Sequence, residues 1–494
     1  MTTNIAVNRG SEWRKWDLHI HTPLSICQDY GGDSEEVWEN FITSLEQLPH
    51  DVKVIGITDY YFIDGYEKIM EYKFKGRLSN IFKIFPILEF RIDTFGSGNE
   101  NKLQKINLHI LFNIDENDIV NELKTIREEF IYQIKISSLE THKTKKLSKE
   151  NFINIAGNLQ AGFNSLIPST KEVLNIIKSD TWKNKVFLFL GYKEWSNLEK
   201  KQQIKPLKED LYSKVDAFFS SNTNNIEKNQ QWLNEFGKKR LLHSLDIHSF
   251  DSLKKENYCC HTWIKADPTF EGLKQIIYEP IERVKIQENK PEEKSGYQVI
   301  DRIEIYHQDF QEKKEEEFKT IFLNPNLNTI IGGRSTGKSI LLGAIAKKLN
   351  SDKEVKSDNP EYSQYIDKIV SEMKIFWKDG DESSTRDIEY FPQSYMYQLA
   401  RNSDELNKLV ENIITQDINK KTKIEAYQAF SSDNNSEIIE DINKLFKTKA
   451  SIDNIQKSIT EIGDEEGIVK EKEKLLTELK TLKAKIQITD EEWT

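Results

Sequence analysis

Cysteine is almost missing from this chain of 494 residues, which has only Cys27, Cys259 and Cys260. Three thiols, two of them adjacent, make no disulfide framework, so the expected compartment is a reducing one. No apolar run reaches the ~20 residues that span a bilayer. The opening MTTNIAVNRGSEWRKW has no apolar segment of the secretory kind. The expectation is a cytoplasmic protein with no membrane partner. Positive charge is not in excess either: 70 Lys+Arg against 81 Asp+Glu give a formal net charge of −11. That excludes coating nucleic acid by bulk charge and leaves room only for a local basic groove. Histidine is scarce at nine residues, so a metal site built from imidazoles has little slack.

What is present divides the chain by pattern. Up to residue 286, short apolar runs such as KVIGIT (53–58), IFPIL (84–88), NLHILF (107–112), KVFLFLG (185–191) and KRLLHSLDIH (239–248) alternate with amphipathic stretches such as Ser34–Leu48 and Thr170–Ile177. This predicts an α/β domain on a mainly parallel sheet or barrel. Residues 113–165, rich in Lys and Glu, read as an insertion or helical excursion. Residues 287–298, QENKPEEKSGYQ, read as a linker. A second α/β start occupies 299–403, and 404–494 is helical in character. There Ile452, Ile455, Ile459 and Ile462 step by three and four, as do Leu475, Leu479, Leu482 and Ile486. These are heptad positions, fitting a coiled-coil arm or hairpin, or else an amphipathic helix packed on its own domain. Gly463 and Gly467 are expected to interrupt the two stretches.

The sharpest local motif is Gly332-Gly333-Arg334-Ser335-Thr336-Gly337-Lys338-Ser339, a full match to G-x-x-x-x-G-K-[ST]. An apolar strand (Thr329–Ile331) before it and a helix (Ile340–Leu349) after it complete the expected context. Backbone N–H groups of such a loop close round phosphates at a helix N-terminus. Lys338 would reach the β/γ-phosphates of ATP and Ser339 would hold Mg²⁺. Some fifty residues on, Gln393 follows the apolar IEYF. Two strands, the P-loop, this Gln and a long helical segment resemble the N-terminal lobe of SMC-like ABC ATPases. That resemblance implies a Q-loop role for Gln393, and heads that pair in a homodimer or higher oligomer, with the coiled coil assisting. The lobe's signature and Walker B motifs are not found before Thr494, so the expected head is half of one, binding ATP and hydrolysing it poorly.

Near the other end, DLHIHT (17–22) alternates, placing His19 and His21 on one strand face and Leu18 and Ile20 on the other. Alone, the pair fits a metal site or a solvated strand face. GITDYYFIDGY (56–66), FPILEF with Glu89, NLHILF with His109, and LLHSLDIHS (241–249) with Asp246 and His248 follow in order. Together these five motifs resemble the PHP (polymerase and histidinol phosphatase) family. The resemblance implies a distorted seven-stranded β/α barrel binding Mn, Zn or Fe for phosphoester hydrolysis. It implies metal ligation by His19, His21, Glu89, His109, Asp246 and His248, and an orienting role for Asp17. Asp59 belongs to the second motif and His243 lines the pocket or is a buried, hydrogen-bonded histidine. Each ligand is expected at or near a strand's C-terminal end.

Departures from the family pattern are specific. Its T-D-H is T-D-Y here, so Tyr60 stands in a ligand's place. A histidine usual after the first motif is replaced near Cys27 or Asp29, and only His142, in a Lys-rich stretch, lies between His109 and the closing motif. Two ions or one, rather than three, are expected. Cys259-Cys260-His261 suits zinc poorly, since adjacent cysteines point to opposite faces and no second pair follows. HKTKKLSK (142–149) reads as a solvated loop, and His50 and His307 as surface residues.

A PHP barrel joined to an SMC-like head, with DPTFEGLKQIIYEPIERV (267–284) at the junction, resembles TrlF-like proteins, including the Ppl-type antiphage proteins. That implies a nuclease acting on DNA or RNA under control of the ATPase. A phosphatase for a small phosphorylated metabolite or nucleotide is the second expectation. The third is a non-catalytic barrel serving as an assembly module.

Overall fold

The structure, a computed structural model, describes residues 9–486 except 100–101, 139–143, 192–204, 222–225, 235–238, 255, 293, 308–317, 350–359, 383–385, 387, 392–398, 400 and 416–417. The chain separates into two compact units, 1–388 and 389–494.

In chain order the strands of the first unit are β1 (Glu12–Ile20), β2 (Val52–Tyr60), β3 (Lys83–Asn99), β4 (Lys102–Phe112), β5 (Lys135–Ser138), β6 (Thr144–Lys146), β7 (Leu166–Pro168) and β8 (Val186–Gly191). They continue as β9 (Ala217–Ser220), β10 (Arg240–His243), β11 (Thr262–Ala266), β12 (Val284–Ile286), β13 (Ile300–Ile305), β14 (Lys319–Phe322) and β15 (Met373–Trp377). Nine form one sheet in the order β10-β9-β8-β4-β3-β2-β1-β11-β12. β1, β2 and β3 are parallel, as are β8, β9 and β10, while β4 runs against both β3 and β8. The sheet nearly closes on itself. Ile20 bridges Ile247, just past β10, and the Thr262 hydroxyl on β11 accepts from His243 N–H (2.6 Å) and donates to its carbonyl (2.7 Å). The antiparallel pair β11–β12 on the β1 side brings the expected seven strands to nine.

All nine strands contribute to one buried cluster, including Phe85 and Ile87 of β3, Leu111 of β4 and Phe189 of β8. That cluster is the inside of the barrel, and Phe270 and Leu273 of the helix Phe270–Tyr278 join it. Alternation along β3 then aims Glu89 and Arg91 inward above Phe85 and Ile87. The outer faces pack against helices such as Glu35–Glu46, capped by Ser34 and burying Trp38, Phe41, Ile42 and Leu45 at helical spacing.

β1 departs from simple alternation. Leu18 belongs to the inner cluster with Trp16, and Ile20 to the outer one, so they do not share a face. The β1–β2 register shifts between Asp17 and Ile20, and such a bulge switches the face on which successive residues fall. Leu18 can thus point inward without displacing His19 and His21.

The Lys- and Glu-rich insertion carries helices, as expected, including Ile119–Thr125, Lys149–Ala156 and Leu159–Ser165, and it also has an apolar core. Its aromatic residues Phe130, Phe152 and Phe163 are fully buried, the last two with ring centroids 5.7 and 5.5 Å from that of Tyr61 beside the barrel mouth. β10 is shorter than the run 239–248 suggested. It ends at His243, before Asp246, whose left-handed φ of +54° a strand cannot carry.

Beyond the barrel, β14-β13-β15 form a three-stranded antiparallel sheet covered by the helices Lys338–Leu349 and Pro360–Ser371. The expected strand Thr329–Ile331 is not formed. Ile331 is 89% exposed, and with no strand beside it among the described residues its backbone has no ladder to join. His307 is buried, not superficial, with its ring against Tyr365 (5.6 Å). Arg9 and Asn324 tie the foot of β1 to this region. Arg9 pairs with Asp301 (2.9 Å), and the Asn324 amide donates to the carbonyls of Arg9 (2.8 Å) and Ser11 (3.1 Å).

The second unit consists of the helices Ser403–Thr415, Ile418–Ile462 and Glu465–Ile486. No residue of the 45-residue middle helix is buried, and Ile452, Ile455, Ile459 and Ile462 are all exposed. Gly463 ends that helix at φ +78°. Gly467 instead lies in the first turn of the next helix, its N–H donating to Asp464. Among the described residues no helix is long and apolar enough to cross a membrane.

Candidate metal centre

Six residues from four stretches of chain meet at the barrel mouth. The bulge and the strand end place His19 and His21. Glu89 comes from β3, and His109 lies directly opposite it on β4. Asp246 and His248 follow β10. His109 is therefore on a strand running against its neighbours, rather than at the C-terminal end of a parallel one.

The donor atoms are close. His19 Nε2 lies 3.1 Å from Glu89 Oε2 and 3.2 Å from Asp246 Oδ1. His21 Nε2 lies 3.3 and 3.5 Å from the same oxygens and 3.3 Å from His19 Nε2. His109 Nε2 is 3.4 Å from Glu89 Oε2. Ligands bound at ~2.1 Å to one ion stand about 3.0–3.4 Å apart, which is the spacing found. Either of two triads, His19/Glu89/His109 or His19/His21/Asp246, could hold an ion; they share His19, whose one lone pair serves one ion at a time.

Three further observations test whether these residues fit a cation. His109 Nδ1 is buried with no hydrogen-bond partner among the described residues, and Nε2 faces only Glu89 Oε2 at 3.4 Å, an expensive state for a buried imidazole. His248 faces the carbonyl of Cys27 with Nδ1 (3.0 Å) and Asp246 Oδ1 with Nε2 (3.0 Å). A carbonyl requires the proton on Nδ1, leaving a lone pair turned on a carboxylate, which a proton or a cation must separate. The charges agree. Burial opposes the His21 imidazolium, but hydrogen bonds to Asp246 and Glu89 outweigh it and raise its pKa to about 9. Burial likewise opposes the Glu89 carboxylate, yet His109 and its other imidazole partners hold it well below the usual range. For Asp246, His19 and the hydrogen bonds of His21 and His248 overcome burial in the same direction. Without metal the cluster retains protons that a divalent cation would displace. The residues fit a metal.

Supporting contacts fix the ligands. Ser25 Oγ bonds His21 Nδ1 (3.1 Å), turning Nε2 to the centre. Asn107 donates to Glu89 Oε1, leaving Oε2 for the imidazoles. Phe219 packs against His19 and His109, at 5.5 and 5.1 Å between ring centroids. Tyr60 stacks on His21 (4.7 Å); it occupies the expected ligand's place as a wall of the site.

Three residues expected here stand outside the donor cluster. Asp17 accepts from the Tyr258 hydroxyl (2.9 Å) and orients no imidazole through its side chain. Asp59 accepts from the N–H and hydroxyl of Thr22 (2.8 and 2.7 Å), securing the turn after His21. His243 is a buried histidine accepting from His261 N–H (3.2 Å), its pKa lowered to about 4 first by burial and then by His261. Cys27 Sγ meets Gln160, and His142 lies outside the described residues. Asn107 and Ser25 were missed, although Asn107 stands two residues from His109, the period of a strand face.

In the nucleotide motif, Gly332–Gly337 form an exposed loop ahead of the helix Lys338–Leu349. Ser335 and Gly337 take φ of +63° and +83°. The Lys338 ammonium donates to the carbonyls of Gly332 (2.8 Å) and Gly333 and to Thr336 Oγ1 (3.4 Å). Arg334 and Ser339 are exposed. Gln393 lies outside the described residues.

No family model and no curated protein matches the chain. A solved amidohydrolase structure from Chromobacterium violaceum, with bound sulfate and no metal, is 12% identical over 48% of this chain and 88% of that one. Its TM-score of 0.28 is too slight a likeness to assign a family.

Proposed function

We propose that the chain is a metal-dependent phosphoesterase whose barrel hydrolyses phosphodiesters of DNA or RNA. The observation that carries this reading is the convergence of three imidazoles and two carboxylates at spacings of 3.1–3.5 Å. His19, His21, Glu89, His109 and Asp246 would hold the metal, with His248 behind Asp246. Bound divalent ions polarise a phosphoryl oxygen and lower the pKa of water, the chemistry that in-line phosphoester hydrolysis needs. A borderline donor set of imidazole and carboxylate suits Mn, Zn or Fe.

The chain's own residues do the rest. Ser25 and Asn107 aim ligands inward, Tyr60 and Phe219 wall the site, and Phe163 of the insertion packs against Tyr60 (4.6 Å between ring centroids). Control by ATP at Gly332–Ser339, assembly of copies through heads and arm, and a place in antiphage defence rest on the sequence resemblance. The test is cleavage of DNA, RNA and a small phosphoester with added Mn²⁺, wild type beside Glu89→Ala. Cleavage of the small ester alone would favour a phosphatase. No cleavage of any substrate by metal-loaded protein would leave a non-catalytic barrel.

A further inference from the structure

Arg91 is two residues beyond Glu89 on β3 and shares its inward face. Its guanidinium lies 3.8 Å from the Phe163 ring centroid and 5.6 Å from that of Tyr60, and Tyr60 in turn stacks on the ligand His21. The cation is thus joined to the metal centre through one aromatic ring. Stacking fixes the plane of a guanidinium without consuming its N–H donors. Among the described residues the only hydrogen bond those donors make is a long one to Asn164 Oδ1 (3.4 Å).

Most arginines of the first unit hold a counter-ion; Arg91 and Arg240 are the half-buried exceptions among the described residues. Arg9, Arg14, Arg77, Arg127 and Arg283 each hold a carboxylate at 2.6–3.0 Å. Arg91 has no carboxylate within 4 Å among the described residues, although it is half-buried. One planar cation without a carboxylate partner therefore stands one aromatic ring away from the His21 imidazole, its fork engaged only by Asn164 among the described residues.

We propose that Arg91 is the anion-binding residue of this site, taking phosphoryl oxygens of the substrate in a bidentate grip beside the metal. This rests on the phosphoester reading above. A planar fork matches two oxygens of one phosphate, and a phosphodiester entering a centre lined by Glu89 and Asp246 needs a positive group besides the ions. Phe163 and Asn164 come from the insertion's helix Leu159–Ser165, so the insertion holds Arg91 in position.

The test is calorimetric titration of inorganic phosphate into the Mn²⁺-loaded full chain. Every sample carries Lys338→Ala, so that the nucleotide loop does not contribute. Arg91→Met should weaken phosphate binding about 10–100-fold, the loss of a charged hydrogen-bonding pair, with metal content and circular dichroism unchanged. Arg91→Lys should fall between, keeping charge and losing the fork. Affinity within twofold of the parent in Arg91→Met, with only a lower melting temperature, would reduce Arg91 to a packing role and overturn the proposal. A parent that binds no phosphate at millimolar concentration would overturn it too. Metal content, read beforehand by elemental analysis, and phosphoester cleavage judge the function separately; Arg91 is decided on the phosphate isotherm alone.

Discussion

Asn107 shows how much a single side chain does here: by occupying Oε1 of Glu89 it leaves Oε2 for three imidazoles. Asn107→Ala should lower metal affinity about 10–100-fold, measured by competition with a chromophoric chelator, while secondary structure stays intact. His243 supports a prediction about pH. Folded, it remains neutral down to about pH 4, whereas its ordinary value is 6.5. As pH falls through that window the unfolded chain takes the proton first, so stability present above 6.5 is lost toward 4. The loss is on the order of 3 kcal/mol. Urea titrations at both ends of the window should show it, and His243→Asn should flatten the dependence. The six donors were legible because each lies in a short motif whose alternation survives folding. The side-chain partners of Asp17, Asp59 and His243 were not legible for a shared reason: sequence proximity to a ligand does not say which neighbour a buried side chain meets. Their partners Tyr258, Thr22 and His261 are tertiary neighbours that no local pattern reveals.

Elements show where periodicity works and where it stops. Strands from β2 to β4 were readable from apolar runs, because both faces of those strands are buried. The bulge in β1 was not, since a register shift depends on the partner strand. Residues 329–331 have a strand's composition without its structure; hydrogen bonds to a neighbour make a strand, and composition cannot supply one. The helix Asp64–Phe74 adds a prediction. Gly65 packs so closely that a Cβ there would lie 2.0 Å from Asp59 Oδ2 and 2.2 Å from Thr22 Oγ1. Gly65→Ala should cost about 1–3 kcal/mol by overpacking. It should also lower metal content, because the turn it displaces begins one residue after His21. Melting temperature and elemental analysis of the same sample check both halves.

At the scale of the molecule, the candidate metal ligands all lie in the first unit, 1–388, and the second unit contributes none among the described residues. Saturating Mn²⁺ should therefore raise the melting transition of the first unit alone. At a hundred times the dissociation constant the gain is about 2.7 kcal/mol. Differential scanning calorimetry with and without the ion checks this; equal shifts in every transition would contradict it. The sheet order has a further consequence for synthesis. β1 sits between β2 and β11, with Glu12 opposite Ala266, so the first strand translated awaits one of the last. At about 5–20 residues per second, that flank of β1 stays open on the ribosome for roughly ten seconds to a minute. His19 and His21 emerge first, yet they meet Asp246 only once most of the barrel has been made. The complete candidate centre is thus timed by translation, and a nascent chain halted before Asp246 can offer an ion only part of its cage.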